Sequence, residues 1–201
     1  MSRALIDLGR EQTPTSGNLP GLTVYLKQLI GEPFRFARVS YGDELTLHFG
    51  DLRPARSLKL KDHLYGTYTL GMRGSPWVLK PGPYAKSFVV SEECLEGSSL
   101  PEFGRTLSNE ELESARFLEP ESRVTGAWPF VDNHKGGFGL QLWMSDGSNL
   151  TVLPSGPEVE EPGDEELPRL ADWELSSPHG LLRAGPDLQW SFEPRLRQPS
   201  T

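Results

Sequence analysis

The four histidines are the side chains best suited to acid–base chemistry or metal binding, but their spacing favours neither. His48, His63, His134 and His179 are scattered along the chain, and no two of them stand at the i, i+4 or Cys/His spacing of a zinc site. The single cysteine, Cys94, excludes an internal disulfide framework and a cysteine-rich zinc site. We therefore expect neither a metal ion nor a cofactor.

The candidate nucleophiles and glycine-rich segments also lack a catalytic context. Neither Ser98-Ser99 nor Ser176-Ser177 lies in the Gly-x-Ser-x-Gly pattern of a nucleophile elbow. Gly71–Gly74 and Gly136–Gly139 lack the lysine and the following helix of a phosphate-binding loop. The sequence therefore favours a non-enzymatic protein.

An alternative remains open, in which the protein binds or hydrolyses a small ligand. Its pocket would lie between the two halves of the chain and would use His63, His134 or Asp146. A third hypothesis is a structural subunit of a larger assembly.

Aromatic residues give somewhat more support to recognition of a partner. Trp128, Trp143 and Trp77 lie beside turns or on strands with polar alternation, and tryptophan is a favoured anchor in protein interfaces. The alternative is that helices cover them. His48 alternates with the apolar residues of its strand, so we expect it to face solvent, and Trp143 holds the matching position in the second half of the chain.

Charge is unevenly distributed along the sequence. The formal net charge is -8, but residues 1–105 carry a small positive excess and residues 106–201 carry all of the negative excess. This charge distribution argues against a nucleic-acid binder. Two charged segments are candidate binding sites or solubilising surfaces: a basic connector with Arg53, Arg56, Lys59 and Lys61, and an acidic loop with Glu160, Glu161, Glu165 and Glu166.

Hydrophobic periodicity predicts mostly strands. Asn18-Leu-Pro20 and the apolar spacing from Leu22 to Ile30 predict a helix that ends at Gly31. Ser108-Asn-Glu-Glu111 is a capping box and predicts a second helix. Alternating residues such as Leu45, Leu47 and Phe49 predict half-buried strands separated by Gly- and Pro-rich turns. The fold class is thus mainly β (α+β).

A repeated sequence motif suggests that the chain has two related halves. Leu140-Gln-Leu142 follows Leu45-Thr-Leu47 by 95 positions, and further motifs recur in the same order. We expect each half to consist of one helix and an antiparallel four- or five-stranded sheet, sharing a core. The predicted division is a flexible arm (1–17), a first half (18–105), a second half (106–194) with an acidic loop (155–169), and a polar tail (195–201).

The same motifs carry a resemblance. Leu45-x-Leu-x-Phe-Gly50, followed by Gly66-x-Tyr68-x-Leu70 and Ser75-Pro-Trp77, is similar to small uncharacterised bacterial strand-rich proteins, some of them suspected toxin-immunity proteins. The resemblance assigns no functional residue. The absent catalytic pattern, the acidic second half and the candidate exposed aromatic residues favour a non-enzymatic protein-binding module, and the resemblance suggests an immunity-type inhibitor or an accessory protein. No apolar run approaches the roughly 18 residues of a membrane-spanning helix, so we expect a cytoplasmic protein. The partner that we expect is another protein.

Overall fold

The computed structural model describes residues 18–39, 44–55, 63–72, 75–80, 82, 88–90, 104–105, 121–133, 135–154, 172–185 and 188–195. The predicted arm, capping-box helix and acidic loop lie outside these residues, as do Cys94 and the tail beyond Arg195. The strands within the described residues are β1 (Phe34–Val39), β2 (Leu45–Pro54), β3 (Leu64–Met72), β4 (Trp77–Lys80), β5 (Phe88–Val90), β6 (Gly104–Arg105), β7 (Val124–Asp132), β8 (Gly137–Met144), β9 (Asn149–Val152), β10 (Trp173–Ser176), β11 (Gly180–Ala184) and β12 (Trp190–Pro194).

The predicted first helix is confirmed. Helix α1 spans Leu19–Leu26 and continues as a 3-10 turn, Lys27–Leu29. Its N-cap is Asn18, whose side-chain oxygen accepts a hydrogen bond from the Gly21 N–H at 3.0 Å, as the cap of a helix start should. Gly31 follows the helix with a φ of 89°, a left-handed conformation that glycine adopts without steric cost.

The fold is mainly β, as predicted, but the halves do not build separate sheets. One six-stranded sheet has the order β1-β2-β3-β10-β11-β12, and the other has the order β6-β5-β4-β9-β8-β7. Each sheet therefore takes three strands from each half of the chain, so the expectation of one sheet per half is wrong. The pairings are antiparallel except for β5 with β6, which is parallel.

The two sheets share one hydrophobic core. Each contributes alternate residues, and the face of α1 that carries Leu22 and Leu26 joins them in a single buried cluster. Trp173 in β10 donates its indole N–H to the carbonyl oxygen of Phe138 in β8 at 2.9 Å. This buried hydrogen bond links a strand of the first sheet to a strand of the second, so the indole fixes their relative position as well as filling space.

The segments that lead into β1 and β7 also pair with each other. Pro33 and Arg123 form an antiparallel bridge. Around it the Phe34 N–H donates to the Ser122 carbonyl at 2.7 Å, and the Val124 N–H donates to the Glu32 carbonyl at 3.1 Å. These reciprocal bonds join the two sheets at this end through the backbone.

The strand registers show the cross-strand partners of His48 and Trp143. His48 is the cross-strand partner of Phe36 on β1 and of Thr69 on β3. Trp143 is likewise the partner of Gly126 on β7 and of Asn149 on β9. His48 and Trp143 thus each lie on the central strand of a three-stranded unit, while an internal duplication of the sequence stays a prediction.

Candidate functional site

The outer face of the second sheet carries the two most exposed tryptophans of the described chain. The side chains of Trp128 and Trp143 are 51% and 42% exposed. Trp77, Trp173 and Trp190, by contrast, are buried in the core. A large exposed apolar side chain has a cost in water that a core position avoids, so two of them on one face mark a surface of interest.

We call this surface the tryptophan face. It is defined by six outward residues of β7, β8 and β9, which are Gly126, Trp128, Gln141, Trp143, Asn149 and Thr151. The alternation of β8 explains the arrangement, because Leu140, Leu142 and Met144 point into the core while Gln141 and Trp143 point out. Successive side chains of a strand point to opposite faces, and the alternation of β8 is readable in the sequence.

A glycine positions the first tryptophan. A Cβ atom added to Gly126 would lie 1.9 Å from a ring carbon of Trp128, so the indole lies across the bare backbone of Gly126. Because Gly126 is the cross-strand partner of Trp143, the two indoles occupy adjacent places on the sheet. The Phe130 ring covers Gly139 in the same way, with a Cβ position 2.0 Å from its nearest ring carbon.

The polar residues around the indoles are uncharged. Gln141 is the cross-strand partner of Trp128, and Asn149 is the partner of Trp143. Charged residues lie at the margins of the face: Lys80 is next to Asn149 on β4, and Asp132 ends β7. The outer face of the first sheet differs, because Arg183 there approaches Glu174 at 3.8 Å and Glu193 at 3.2 Å. Among the described residues, the centre of the tryptophan face is therefore aromatic and uncharged, whereas its counterpart carries ion pairs.

His48 is buried, which corrects the prediction that it faces solvent. Only 1% of its surface is exposed. Its imidazole stacks on the Phe36 ring with centroids 4.2 Å apart, and the Tyr65 ring meets it edge-on at 5.6 Å. Strand alternation correctly placed His48 on the outer face of the sheet, but the aromatic residues of the two neighbouring strands cover it there.

The environment of His48 favours the neutral imidazole. Its Nδ1 accepts a hydrogen bond from the Gly66 N–H at 3.2 Å, and the Thr69 hydroxyl lies 3.4 Å from the same nitrogen. Burial, and secondarily the positive charge of Arg38, lower the pKa of His48 from 6.5 to about 4. A histidine with this pKa is neutral at physiological pH.

The remaining predicted site residues do not form a cluster in the described structure. Arg53 is exposed on β2, whereas Arg56, Lys59, Lys61 and the four acidic-loop residues Glu160, Glu161, Glu165 and Glu166 lie outside the described residues. Trp77 is a core residue with 1% exposure, so its assignment to a recognition surface is wrong.

The residues proposed for an enzymatic pocket show no catalytic geometry in the described chain. His63 is exposed next to β3, and His134 lies outside the described residues. Asp146 shapes the turn between β8 and β9, where its carboxylate accepts hydrogen bonds from the Ser148 N–H at 2.9 Å and the Ser148 hydroxyl at 2.5 Å. Among the described residues, no three His, Cys, Asp or Glu side chains group as metal ligands.

Comparison with known proteins returned no relative: no family model, no curated protein and no solved structure matches the chain. The helices described in the structure include none with the length and apolar character needed to cross a membrane.

Proposed function

We propose that this protein is a non-enzymatic binding module whose tryptophan face docks another protein. The observation that carries the proposal is the adjacency of Trp128 and Trp143, which are 51% and 42% exposed on one face. Tryptophan is enriched among the few residues that dominate binding energy at interfaces. An inhibitor of the immunity kind, or an accessory subunit, is the role that suits such a surface.

The chemistry of the face favours a partner whose contact patch is apolar and uncharged. Charged residues are depleted at the centre of protein interfaces, where aromatic residues are enriched. The outward residues beside the indoles, Gln141, Asn149 and Thr151, offer hydrogen bonds without a charge to compensate. Among the described residues, the centre of this face offers no counter-charge to a strongly basic or acidic partner surface.

The edge of the second sheet favours contact through side chains rather than through strand addition. β7 is the edge strand, and Pro129 lies in its middle, between Trp128 and Phe130. Proline has no backbone N–H to donate to an incoming strand, and edge strands use it to block such pairing. A partner is therefore expected to lie on the indoles rather than to extend the sheet.

The proposal is tested with two matched double variants. Trp128→Ser with Trp143→Ser removes the indoles of the tryptophan face. Leu52→Ser with Leu64→Ser is the control, because those leucines lie in the first sheet and are 41% and 44% exposed. Proteins captured from a native lysate are quantified by mass spectrometry for the wild type and for both variants, after circular dichroism has shown that the variants are folded.

A specific partner should be retained by the leucine variant and lost by the tryptophan variant. Truncating one interface hot spot costs about 2 kcal/mol or more, which is roughly 30-fold in affinity. The captured partner is then purified, and its dissociation constant is measured directly with each variant. Equal affinity of the two variants for that partner would overturn the proposal. A different outcome is that the purified wild type self-associates in analytical ultracentrifugation while the tryptophan variant stays monomeric. That result would identify a second copy of the chain as the occupant of the face and would overturn a heterologous partner.

A further inference from the structure

A third aromatic side chain lies on the same face of the second sheet as the two exposed indoles. Phe130, on β7, is half-buried, and its ring covers the backbone of Gly139, its cross-strand partner on β8. The Trp128 ring covers Gly126 in the same way, beside Trp143. The outer face of β8 is therefore flanked by a phenyl ring at one end and by two indoles at the other.

The separation of these aromatic ends follows from the rise of a strand. Gly139 and Trp143 are four residues apart on β8, which at about 3.4 Å per residue places the two ends about 14 Å apart. Gln141 lies midway between them, and its side chain is exposed on the same face. A ligand that runs along β8 thus meets an aromatic ring, then a primary amide, then the indoles.

The polar groups of this surface suit a ligand that mainly accepts hydrogen bonds. Each indole carries an N–H donor and no acceptor, and the Gln141 amide carries two N–H donors beside its oxygen. A proline-rich chain has the complementary character, because proline has a carbonyl oxygen and no N–H. The polyproline II conformation makes no internal hydrogen bonds, so the carbonyl oxygens of such a segment are open to donors on the face.

The other common ways of binding a protein segment fit this surface less well. An added strand needs backbone donors along a sheet edge, and Pro129 supplies none in the middle of edge strand β7. A partner helix satisfies its own backbone groups internally, so it offers the Gln141 amide no backbone acceptor. Aromatic surfaces take polyproline II segments, whose conformation is largely set before binding, so that less conformational entropy is lost.

We infer that the partner docks through a proline-rich segment in the polyproline II conformation, which lies along β8 from the Phe130 ring to the indoles of Trp128 and Trp143. This inference rests on the proposed docking role of the tryptophan face. A polyproline II helix rises about 3.1 Å per residue, so about five residues cover the distance between the aromatic ends. Proline rings pack on the aromatic rings, and the Gln141 amide donates to a carbonyl oxygen between them.

The test uses the full-length protein and two decapeptides, one of L-proline and one of D-proline. Both peptides have the same composition, but the D-peptide forms the mirror-image helix, so its carbonyl groups do not match a chiral surface in the same way. Two-dimensional NMR follows the indole N–H signals of Trp128 and Trp143 and the side-chain amide signals of Gln141. The L-peptide should give saturable shifts, and the D-peptide should bind at least about 10-fold more weakly. Equal affinity for the two peptides, or no saturable binding of the L-peptide, would overturn the inference.

Substitutions along β8 locate the bound segment. Phe130→Ala removes the phenyl ring and should weaken binding of the L-peptide about 10-fold. Gln141→Met keeps the side-chain length but removes the amide, so it should weaken binding about 3- to 10-fold, the effect of one hydrogen bond. Gln189→Met is the matched control, because Gln189 is an exposed glutamine that precedes β12 in the first sheet, and it should leave the affinity unchanged.

Affinities of Phe130→Ala and Gln141→Met that both equal the affinity of the Gln189→Met control would overturn the placement along β8. Because Gln141 is exposed, its variant decides the placement if Phe130→Ala does not fold. Saturable binding of cellohexaose, a neutral oligosaccharide, without binding of the L-peptide would assign the face to a glycan and would overturn a proline-rich segment.

The partner captured from the lysate separates this inference from the proposed function. A partner that requires the indoles and is displaced by the L-peptide supports both. A partner that requires the indoles but stays bound in saturating L-peptide overturns the proline-rich segment and leaves the docking role of the face intact. Undiminished capture of the partner by the double variant Trp128→Ser with Trp143→Ser overturns the docking role and this inference with it.

Discussion

Protonation of His48 should destabilise the fold in a defined range of pH. The imidazole is 1% exposed, it is stacked on Phe36, and its Nδ1 accepts the Gly66 N–H. Its pKa is lowered to about 4 in the folded protein, against 6.5 for the unfolded chain. The unfolded chain therefore binds the proton more readily, and acid favours unfolding.

The sign and size of the effect follow from these two pKa values. Above pH 6.5 the imidazole is neutral in both states and contributes its full stability. Between pH 6.5 and about 4 the unfolded state gains a proton that the folded state does not. At about 1.4 kcal/mol per pKa unit, the loss reaches at most about 3 kcal/mol at pH 4, which is a large part of the 5–15 kcal/mol, roughly, that stabilises a typical domain.

The measurement is the free energy of unfolding in urea at several pH values between 7.5 and 4, for the wild type and for His48→Asn. Asparagine cannot titrate in this range, but its side-chain oxygen can accept the Gly66 N–H. Carboxylates titrate in both proteins, so their contribution cancels in the difference. The stability advantage of the wild type over the variant should shrink by about 2–3 kcal/mol from pH 7.5 to pH 4. A difference that stays constant across this range would refute the reasoning.

Two further substitutions test the joint between the sheets and the tryptophan face. Trp173→Phe keeps most of the buried volume but leaves the Phe138 carbonyl without its 2.9 Å hydrogen bond, so urea unfolding should show a loss of about 1–3 kcal/mol; a loss below about 0.5 kcal/mol would contradict that role. Gly126→Ala places a methyl group where the Trp128 ring lies. It should therefore shift the emission maximum of tryptophan fluorescence and lower the affinity for the partner that the wild type captures. Gly136→Ala adds a methyl group in open space, at a glycine with a φ of 68°, so it reports the effect of backbone strain without displacing an indole.

Local structure was the part of the fold that the sequence could predict. The cap at Asn18, the helical spacing from Leu22 and the stop at Gly31 led to a helix that the structure confirms. The alternation of Leu45, Leu47 and Phe49 led to a strand with those side chains buried. Such signals depend on near neighbours in the chain, because capping and side-chain periodicity act over a few residues.

The candidate site was predicted in part for the same reason. Alternation placed Trp128, Trp143 and His48 on outward faces, but it does not say what covers an outward side chain. Phe36 and Tyr65 bury His48, and Gly126 beside Trp143 leaves the tryptophan exposed. These neighbours lie on other strands, many residues away in the chain. Trp77 was misread because its strand lies inside the second sheet, between β5 of its own half and β9 of the other half.

The sequence by itself determined the mainly β fold, the helix at Asn18 and which side chains of each strand share a face, since these follow from the local period of apolar residues. Only the tertiary structure decided that each sheet takes three strands from each half, that Trp173 bonds to Phe138, and that Phe36 and Tyr65 cover His48. The physical reason is that strand pairing and side-chain cover are contacts between distant segments. Their register is set by how the whole core packs, which no window of the sequence contains.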